Sequence, residues 1–65
     1  MEFSKRLKEE LIWKGITQKK LAEMLNIERT NISNWISGRN LPSLEVFYRI
    51  CLILEESADY LLGLS

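Results

Sequence analysis

The sequence contains no histidine, a single cysteine, Cys51, and a single proline, Pro42. One cysteine cannot form a disulfide within the chain, and without histidine there is no Cys/His metal site. We therefore expect no metal and no cofactor. A chain without disulfides is suited to the reducing cytoplasm, which is the location we expect. Cys51 itself is expected to be a small apolar core residue rather than a redox switch.

Long apolar runs and strand signals are also missing. No stretch approaches the ~20 apolar residues of a membrane span, and the charged start at residues 1–6 does not have the pattern of a signal peptide. There is no sustained alternation of apolar and polar residues and no Asn-Gly or Asp-Gly hairpin turn. We therefore expect no association with a membrane and no β-sheet.

The chain has no net charge, because nine Lys and Arg balance nine Asp and Glu. The charge is nevertheless uneven along the chain. Residues 14–40 carry five basic and two acidic side chains, a net +3, whereas residues 41–65 carry one basic and four acidic, a net −3. The basic middle can face phosphate while the acidic end faces away, and the alternative is an ordinary solvated surface.

The sequence does contain helical patterns separated by short polar breaks. The first is a stripe of Phe3, Leu7 and Leu11 that ends at Gly15, a residue suited to a left-handed helix stop. The patterns predict five helices over about residues 3–14, 18–25, 28–37, 43–54 and 58–62. In the fourth helix the buried stripe is expected to be Leu44, Phe47, Ile50, Cys51 and Leu54. We expect an all-α fold of five short helices.

The third helix has an outer face of poor helix propensity. Ile32, Trp35 and Ile36 point one way, so Trp35 is expected in the core. The remaining arc carries Arg29, Thr30, Ser33, Asn34 and Ser37. An ordinary solvated face would carry Glu and Lys, which favour helix more than Ser, Asn and Thr do. Short side chains rich in donors suit the major groove of DNA, which is about 12 Å wide and in which Asn pairs with adenine and Arg with guanine.

Four segments, in this order, resemble one known family. They are Thr17-Gln-Lys-Lys-Leu-Ala-Glu, Arg29-Thr-Asn-Ile-Ser-Asn-Trp-Ile-Ser-Gly-Arg, Pro42-Ser-Leu-Glu and Ala58-Asp-Tyr-Leu-Leu-Gly. Together they resemble the Cro/C1-type (XRE) helix-turn-helix family over about residues 3–63. The resemblance implies a compact five-helix, lambda-repressor-like domain whose second and third helices form the helix-turn-helix. It also implies binding to double-stranded operator DNA, usually as a homodimer on paired half-sites.

The resemblance also implies roles for individual residues. The residues implied to contact bases are Arg29, Thr30, Ser33 and Asn34. Those implied to contact the DNA backbone are Gln18, Lys19, Asn31, Arg39 and Asn40. Gln18 corresponds to the phosphate-clamping glutamine of the family, and Lys14 is a weaker candidate for a phosphate contact. The alternative for Arg39 is a solvated loop charge.

The sequence departs from the family pattern at three places. Ile36 stands where a Glu is common, and Leu11 stands where its Arg partner would be, so an apolar contact is expected instead of an ion pair. Glu28 replaces a common Ser or Thr cap. A carboxylate is still favourable at the start of a helix, but its charge is expected to repel a nearby phosphate. Glu56 replaces an apolar residue, so we expect a looser connection between the last two helices.

Apolar residues near the end of the chain exceed what one helical stripe buries. They are Leu52, Ile53, Tyr60, Leu61 and Leu64. They form either a two-sided core or a symmetric dimer contact, and we favour the dimer contact. For Trp13 the sequence leaves the edge of the core and an exposed contact equally open.

The sequence thus predicts a cytoplasmic transcriptional regulator, with repression as the expected direction, that reads DNA with helix 28–37 as a dimer. The alternative is a protein-interaction module, such as the antitoxin of a toxin–antitoxin pair, which zero net charge and Glu28 favour. An enzyme is not expected, because the chain has no histidine, no converging pair of carboxylates and no Gly-rich phosphate loop.

Overall fold

The computed structural model describes all 65 residues, which form five α-helices and no strand. The helices are α1 (Phe3–Lys14), α2 (Gln18–Leu25), α3 (Arg29–Ser37), α4 (Leu44–Leu54) and α5 (Ala58–Leu62). The prediction of an all-α, five-helix fold is confirmed. None of these helices combines the length and the apolar character that a membrane crossing requires.

Hydroxyl groups cap three of the five helices. The side chains of Thr17, Ser43 and Ser57 accept hydrogen bonds from the backbone N–H groups of Lys20, Val46 and Tyr60, at 3.0, 3.2 and 3.1 Å. Each bond satisfies an amide that has no partner within its own helix. The third and fourth helices begin one residue later than predicted, because Glu28 and Ser43 keep extended backbone angles and serve as capping residues.

A single apolar core joins the five helices. It contains Phe3, Leu7 and Leu11 from α1, Leu21, Ala22 and Leu25 from α2, Ile32 and Trp35 from α3, Ile50 and Leu54 from α4, and Leu61 from α5. Burial of each large side chain contributes roughly 1.5–3 kcal/mol. Trp35 lies in this core, as predicted. Since α3 packs against both α1 and α2, its orientation is fixed by the core.

The exposure of three apolar residues bears on their predicted positions. Leu44, which was predicted in the buried stripe of the fourth helix, is 83% exposed, because the buried arc of α4 is centred on Ile50 and Leu54 and Leu44 lies at its edge. Leu61, which was predicted as a dimer contact, is completely buried in the core of its own chain, so that assignment is wrong. Trp13 is 84% exposed, which decides between its two alternatives in favour of exposure.

The last helix is tied to the first. The guanidinium of Arg6 donates a hydrogen bond to the carbonyl of Tyr60 at 2.6 Å and lies 4.6 Å from the centre of the Tyr60 ring. The connection before α5, where Glu56 predicted a looser link, has the same type of hydrogen-bonded helix end as the other helices. The backbone N–H of Glu56 donates to the carbonyl of Cys51 at 3.2 Å, and Glu55 adopts a left-handed conformation that closes α4.

Glu10 is a buried carboxyl group at the edge of the core. It is 6% exposed, its Oε1 atom has no hydrogen-bond partner, and the nearest cation is the Nζ of Lys14 at 3.7 Å. Burial, reinforced by the neighbouring carboxyl of Glu56, raises the pKa of Glu10, whereas Lys14 opposes the shift. Glu10 therefore destabilises the folded chain when it is ionised.

Replacing this carboxyl with an amide should stabilise the protein near neutral pH. A raised pKa means that the folded chain binds the proton more tightly than the unfolded chain, so the free energy of unfolding decreases as pH rises through the pKa of the folded state. We expect Glu10→Gln to increase the free energy of unfolding by about 1 kcal/mol at about pH 7, with no gain at about pH 4. Urea denaturation at both pH values measures this.

The matched control is Glu9→Gln, which makes the same change at an exposed position one residue earlier in α1. It should leave the free energy of unfolding nearly unchanged at both pH values. A loss of stability in Glu10→Gln near neutral pH would contradict this account of the buried carboxyl.

Candidate nucleic-acid interface

A short turn joins α2 to α3. Asn26 ends α2 in a left-handed conformation with φ 58°, and the backbone N–H of Ile27 donates to the carbonyl of Ala22 at 3.0 Å. Ile27 packs against the core, and Glu28 then begins α3. Two helices that meet through so short a turn and pack on each other form a helix-turn-helix.

The inner face of α3 is fixed by the core. Ile32 is completely buried and Trp35 is nearly so. The hydroxyl of Ser4 in α1 donates a hydrogen bond to the backbone carbonyl of Trp35, which holds α3 against α1 near its end. With the inner face held at two places, the opposite arc of α3 must face outward.

This outer arc carries the four residues predicted to read bases. Arg29 and Thr30 are exposed, whereas Ser33 and Asn34 are half-buried at the two sides of the arc. Ser37 is also exposed and lies seven residues after Thr30, two turns further along the same side of the helix. Ser37 was predicted on the arc without a contact role, although its spacing of seven residues from Thr30 places it on the same side of the helix.

One side of the arc is joined to the start of α2. The hydroxyl of Ser33 donates a hydrogen bond to Oε1 of Gln18 at 2.8 Å. Because the Gln18 oxygen accepts this bond, its NH₂ group remains a donor for another partner. The Thr17 cap serves the amide of Lys20, so the amides of Gln18 and Lys19 have no acceptor within α2. Amides at a helix N-terminus are suited to binding a phosphate.

The other end of α3 is joined to the loop that follows it. The carbonyl of Asn34 accepts hydrogen bonds from the backbone N–H groups of Arg39 and Asn40, at 2.9 and 3.5 Å, and from the hydroxyl of Ser37 at 3.0 Å. The side chains of Arg39 and Asn40 are exposed there. Asn40 also shares a surface recess with Asn31. The structure thus brings Arg39, Asn40 and Asn31 to the end and edge of the outer arc.

The charges around the arc are mixed. Lys19, Arg29 and Arg39 are exposed, and so is Glu28 at the very start of α3. The Glu28 side chain makes no capping hydrogen bond, while its carbonyl accepts from the backbone and side-chain amides of Asn31, at 3.1 and 3.3 Å. A free carboxylate therefore lies beside a basic surface, where it lowers the local positive potential.

Lys8 belongs to this surface but was not predicted. It lies on α1 and lines a shallow recess together with Gln18, Leu11 and Ile36. The same recess shows Leu11 and Ile36 on adjoining helices, in agreement with the apolar replacement of an ion pair. No spacing in the sequence relates Lys8 to Gln18, since only the packing of α1 beside α2 and α3 brings them together.

Comparisons with known proteins agree with this geometry. Residues 4–64 match a family model described as "Helix-turn-helix domain". The chain is 39% identical over 63 residues to the HTH-type transcriptional activator BcrR of Enterococcus faecalis, covering 97% of this chain and 31% of that protein. It is 40% identical over 63 residues to the HTH-type transcriptional regulator ImmR of Bacillus subtilis (strain 168), covering 97% of this chain and 50% of that protein. No solved structure matches.

The chain therefore belongs to the helix-turn-helix domain family, of the XRE (Cro/C1) type that the sequence predicted. One relative is named a transcriptional activator and the other a transcriptional regulator, and neither is named as an enzyme. The chain spans between about a third and a half of the length of these relatives.

The bond between Gln18 and Ser33 should be measurable without DNA. In a double-mutant cycle of Gln18→Ala and Ser33→Ala, we expect a coupling energy of about 0.5–1.5 kcal/mol in the free energy of unfolding, because each single variant removes the same hydrogen bond. Urea denaturation of the four proteins gives this value. A second cycle with Lys19→Ala in place of Gln18→Ala should show no coupling, and purely additive losses in the first cycle would disprove the bond.

Proposed function

We propose that this chain is the DNA-binding domain of a transcriptional regulator, and that it reads double-stranded DNA by placing the outer arc of α3 in the major groove. The observation that carries the proposal is that the inner face of α3 is locked in the core while the donor-rich arc from Arg29 to Ser37 is free. An α-helix with its side chains is about 10–12 Å across, which a major groove about 12 Å wide admits, and the nine residues of α3 present about 14 Å of helix to it.

The contacts follow from the chemistry of each side chain. Arg29 and Asn34 are suited to bidentate hydrogen bonds, with guanine and adenine respectively. Thr30 and Ser33 supply hydroxyls and, for Thr30, a methyl group that can contact thymine. These four residues are the proposed base readers, and Ser37 extends the same line toward the end of the helix.

The residues around the arc are proposed to bind the DNA backbone. On one side, Gln18 and the first amides of α2 face a phosphate, with Lys19 and Lys8 beside them. On the other side, Arg39, Asn40 and Asn31 reach the backbone beyond the reading helix. Contacts of this kind set the position and orientation of the protein and carry no sequence information of their own.

A dimer on DNA is part of the proposal. The Glu28 carboxylate repels phosphate, so the affinity of one copy is expected to be modest, and a second copy on a paired half-site about 34 Å away compensates for it. Such binding needs a self-complementary surface on each copy.

The proposed dimer surface differs in part from the predicted one. Leu44, Tyr48 and Leu52 are exposed at intervals of four residues and form one apolar stripe, called here the α4 stripe. Of the predicted contacts, Leu52 and Leu64 are exposed, whereas Ile53 and Tyr60 are half-buried against the core. The proposed dimer surface is the α4 stripe with Leu64, which keeps Leu52 and Leu64 of the predicted contacts and adds Leu44 and Tyr48.

The proposed direction of regulation is repression in the cytoplasm, because a bound dimer excludes other proteins from the same DNA. The relative from Enterococcus faecalis is named an activator, so the direction depends on where the site lies and on the rest of the protein as well as on this domain. A reporter gene placed behind the bound promoter measures the direction.

The base contacts are tested by removing two of them. We expect Arg29→Ala combined with Asn34→Ala to weaken binding to promoter-region DNA roughly 100-fold, since each bidentate pair contributes about 1–3 kcal/mol of discrimination. Fluorescence anisotropy measures this at several salt concentrations. The control is Lys5→Ala, at an exposed basic residue of α1. Unchanged binding by the double variant, or an affinity that does not depend on salt, would contradict the proposal.

The dimer surface is tested by adding a charge to the α4 stripe. On a duplex with two half-sites we expect two copies of the wild-type chain to bind cooperatively, and Leu52→Lys to abolish the cooperativity while a single half-site is still bound. Analytical ultracentrifugation gives the number of copies per duplex. The matched control is Met24→Lys, which makes the same kind of change at an exposed apolar residue of α2. Cooperative binding by Leu52→Lys would exclude the α4 stripe.

A further inference from the structure

A surface recess lies on the flank of α1 that faces α5. It has a volume of about 320 Å³ and is lined by Glu9, Glu10, Trp13 and Tyr60. Trp13 is 84% exposed, which is unusual for a large aromatic side chain with so much apolar area. Trp13 does not belong to the core, and no residue of the outer arc of α3 lines the recess beside it, so neither accounts for this exposed side chain.

Glu10 contributes a buried carboxyl group to this recess. Glu10 is 6% exposed, and its Oε1 atom is buried without a hydrogen-bond donor. The Nζ of Lys14 lies 3.7 Å away, too far for a hydrogen bond. A buried carboxylate oxygen normally has donors, because burial removes its bonds to water. Oε1 of Glu10 is therefore a buried acceptor without a hydrogen-bond donor in the chain, with the ammonium of Lys14 and the carboxyl of Glu56 as its charged neighbours.

This region already holds one guanidinium group on an aromatic ring. Arg6 lies 4.6 Å from the centre of the Tyr60 ring and is held there by its hydrogen bond to the Tyr60 carbonyl. Cations are attracted to the faces of aromatic rings, most strongly to that of tryptophan. A planar guanidinium can stack on a ring and donate to carboxylates at the same time.

We propose that this recess binds a guanidinium group, which stacks on the indole of Trp13 and donates hydrogen bonds to the carboxylates of Glu10 and Glu9. At the recess the three carboxyl groups of Glu9, Glu10 and the nearby Glu56 outnumber the two cations, Lys14 and Arg6, so the local charge is complementary to a cation. The recess is lined by residues of α1 and α5 and by none of α3. Binding at the recess and contact of α3 with DNA can therefore occur together.

A guanidinium can come from a small molecule or from an arginine of another protein, and one titration separates the two sources. The probes are ethylguanidinium, the peptide acetyl-Gly-Arg-Gly-amide and, as a control, acetyl-Gly-Gln-Gly-amide. The measurement is the ¹H–¹⁵N spectrum of the protein, in which the indole N–H of exposed Trp13 reports on the recess and that of buried Trp35 serves as an internal reference.

The expected result is a saturable shift of the Trp13 signal with the arginine peptide, while the Trp35 signal stays in place. Tighter binding of the peptide than of ethylguanidinium would assign the site to a protein segment, and equal binding would assign it to a small molecule. A shift that does not saturate at millimolar concentrations, or that the glutamine peptide reproduces, would overturn the proposal.

Variants then connect the binding to the recess. We expect Glu10→Gln and Trp13→Ala each to weaken binding of the arginine peptide about tenfold. Because Glu10→Gln is expected to be at least as stable as the wild type, its loss of binding cannot be attributed to unfolding. Glu45→Gln, which makes the same charge change at an exposed residue of α4, should bind normally. Normal binding by Glu10→Gln would overturn the proposal, and this result does not depend on whether the chain binds DNA.

Discussion

Burial of Ile32 and Trp35 is the interaction on which the rest of this structure depends. These two side chains fix the rotation of α3 about its own axis, because they must face the core formed with α1 and α2. Once that rotation is set, the residues from Arg29 to Ser37 that do not face the core have to form the outer arc. A change that removed Trp35 from the core would therefore alter both the stability of the fold and the direction in which the arc points.

Polar contacts then position the surroundings of the arc. Ser4 holds the Trp35 carbonyl, Ser33 holds the Gln18 side chain, and the Asn34 carbonyl holds the loop of Arg39. Each contact joins α3 to a different neighbour, so the groups proposed to bind phosphate keep a defined relation to the groups proposed to read bases. Glu28 is the exception, because its carboxylate has no partner and repels a DNA phosphate. The weaker affinity expected from this repulsion is the reason for the proposed dimer on DNA.

Much of this arrangement could be predicted from the sequence, because it depends on local chemistry. Glycine and hydroxyl residues marked the helix ends, the spacing of apolar residues marked most of the core, and the weak helix propensity of Thr30, Ser33 and Asn34 marked the outer arc. These signals act within one helix or one turn. They do not depend on which helices become neighbours in the folded chain.

The features that the sequence did not show depend on how helices pack on one another. Leu44 and Leu61 have the same apolar character, yet one is exposed and the other is buried, since only the neighbouring helices distinguish them. Lys8 reaches Gln18, and Glu10 lies beside Glu56, through contacts between distant parts of the chain. Tertiary packing decides each of these cases, and the periodicity of the sequence does not reveal how the helices pack.

Selection of bound sequences from a random pool of duplex DNA tests the central claim most directly, because it assumes no operator. The account predicts that the pool converges on one short sequence, present as two inverted half-sites whose centres are about one helical turn apart, roughly 34 Å. It further predicts that Asn34→Ala changes the preferred base at one position of each half-site and leaves the other positions as they were. A pool that does not converge, or an unchanged preference with Asn34→Ala, would contradict the claim that the outer arc of α3 reads DNA.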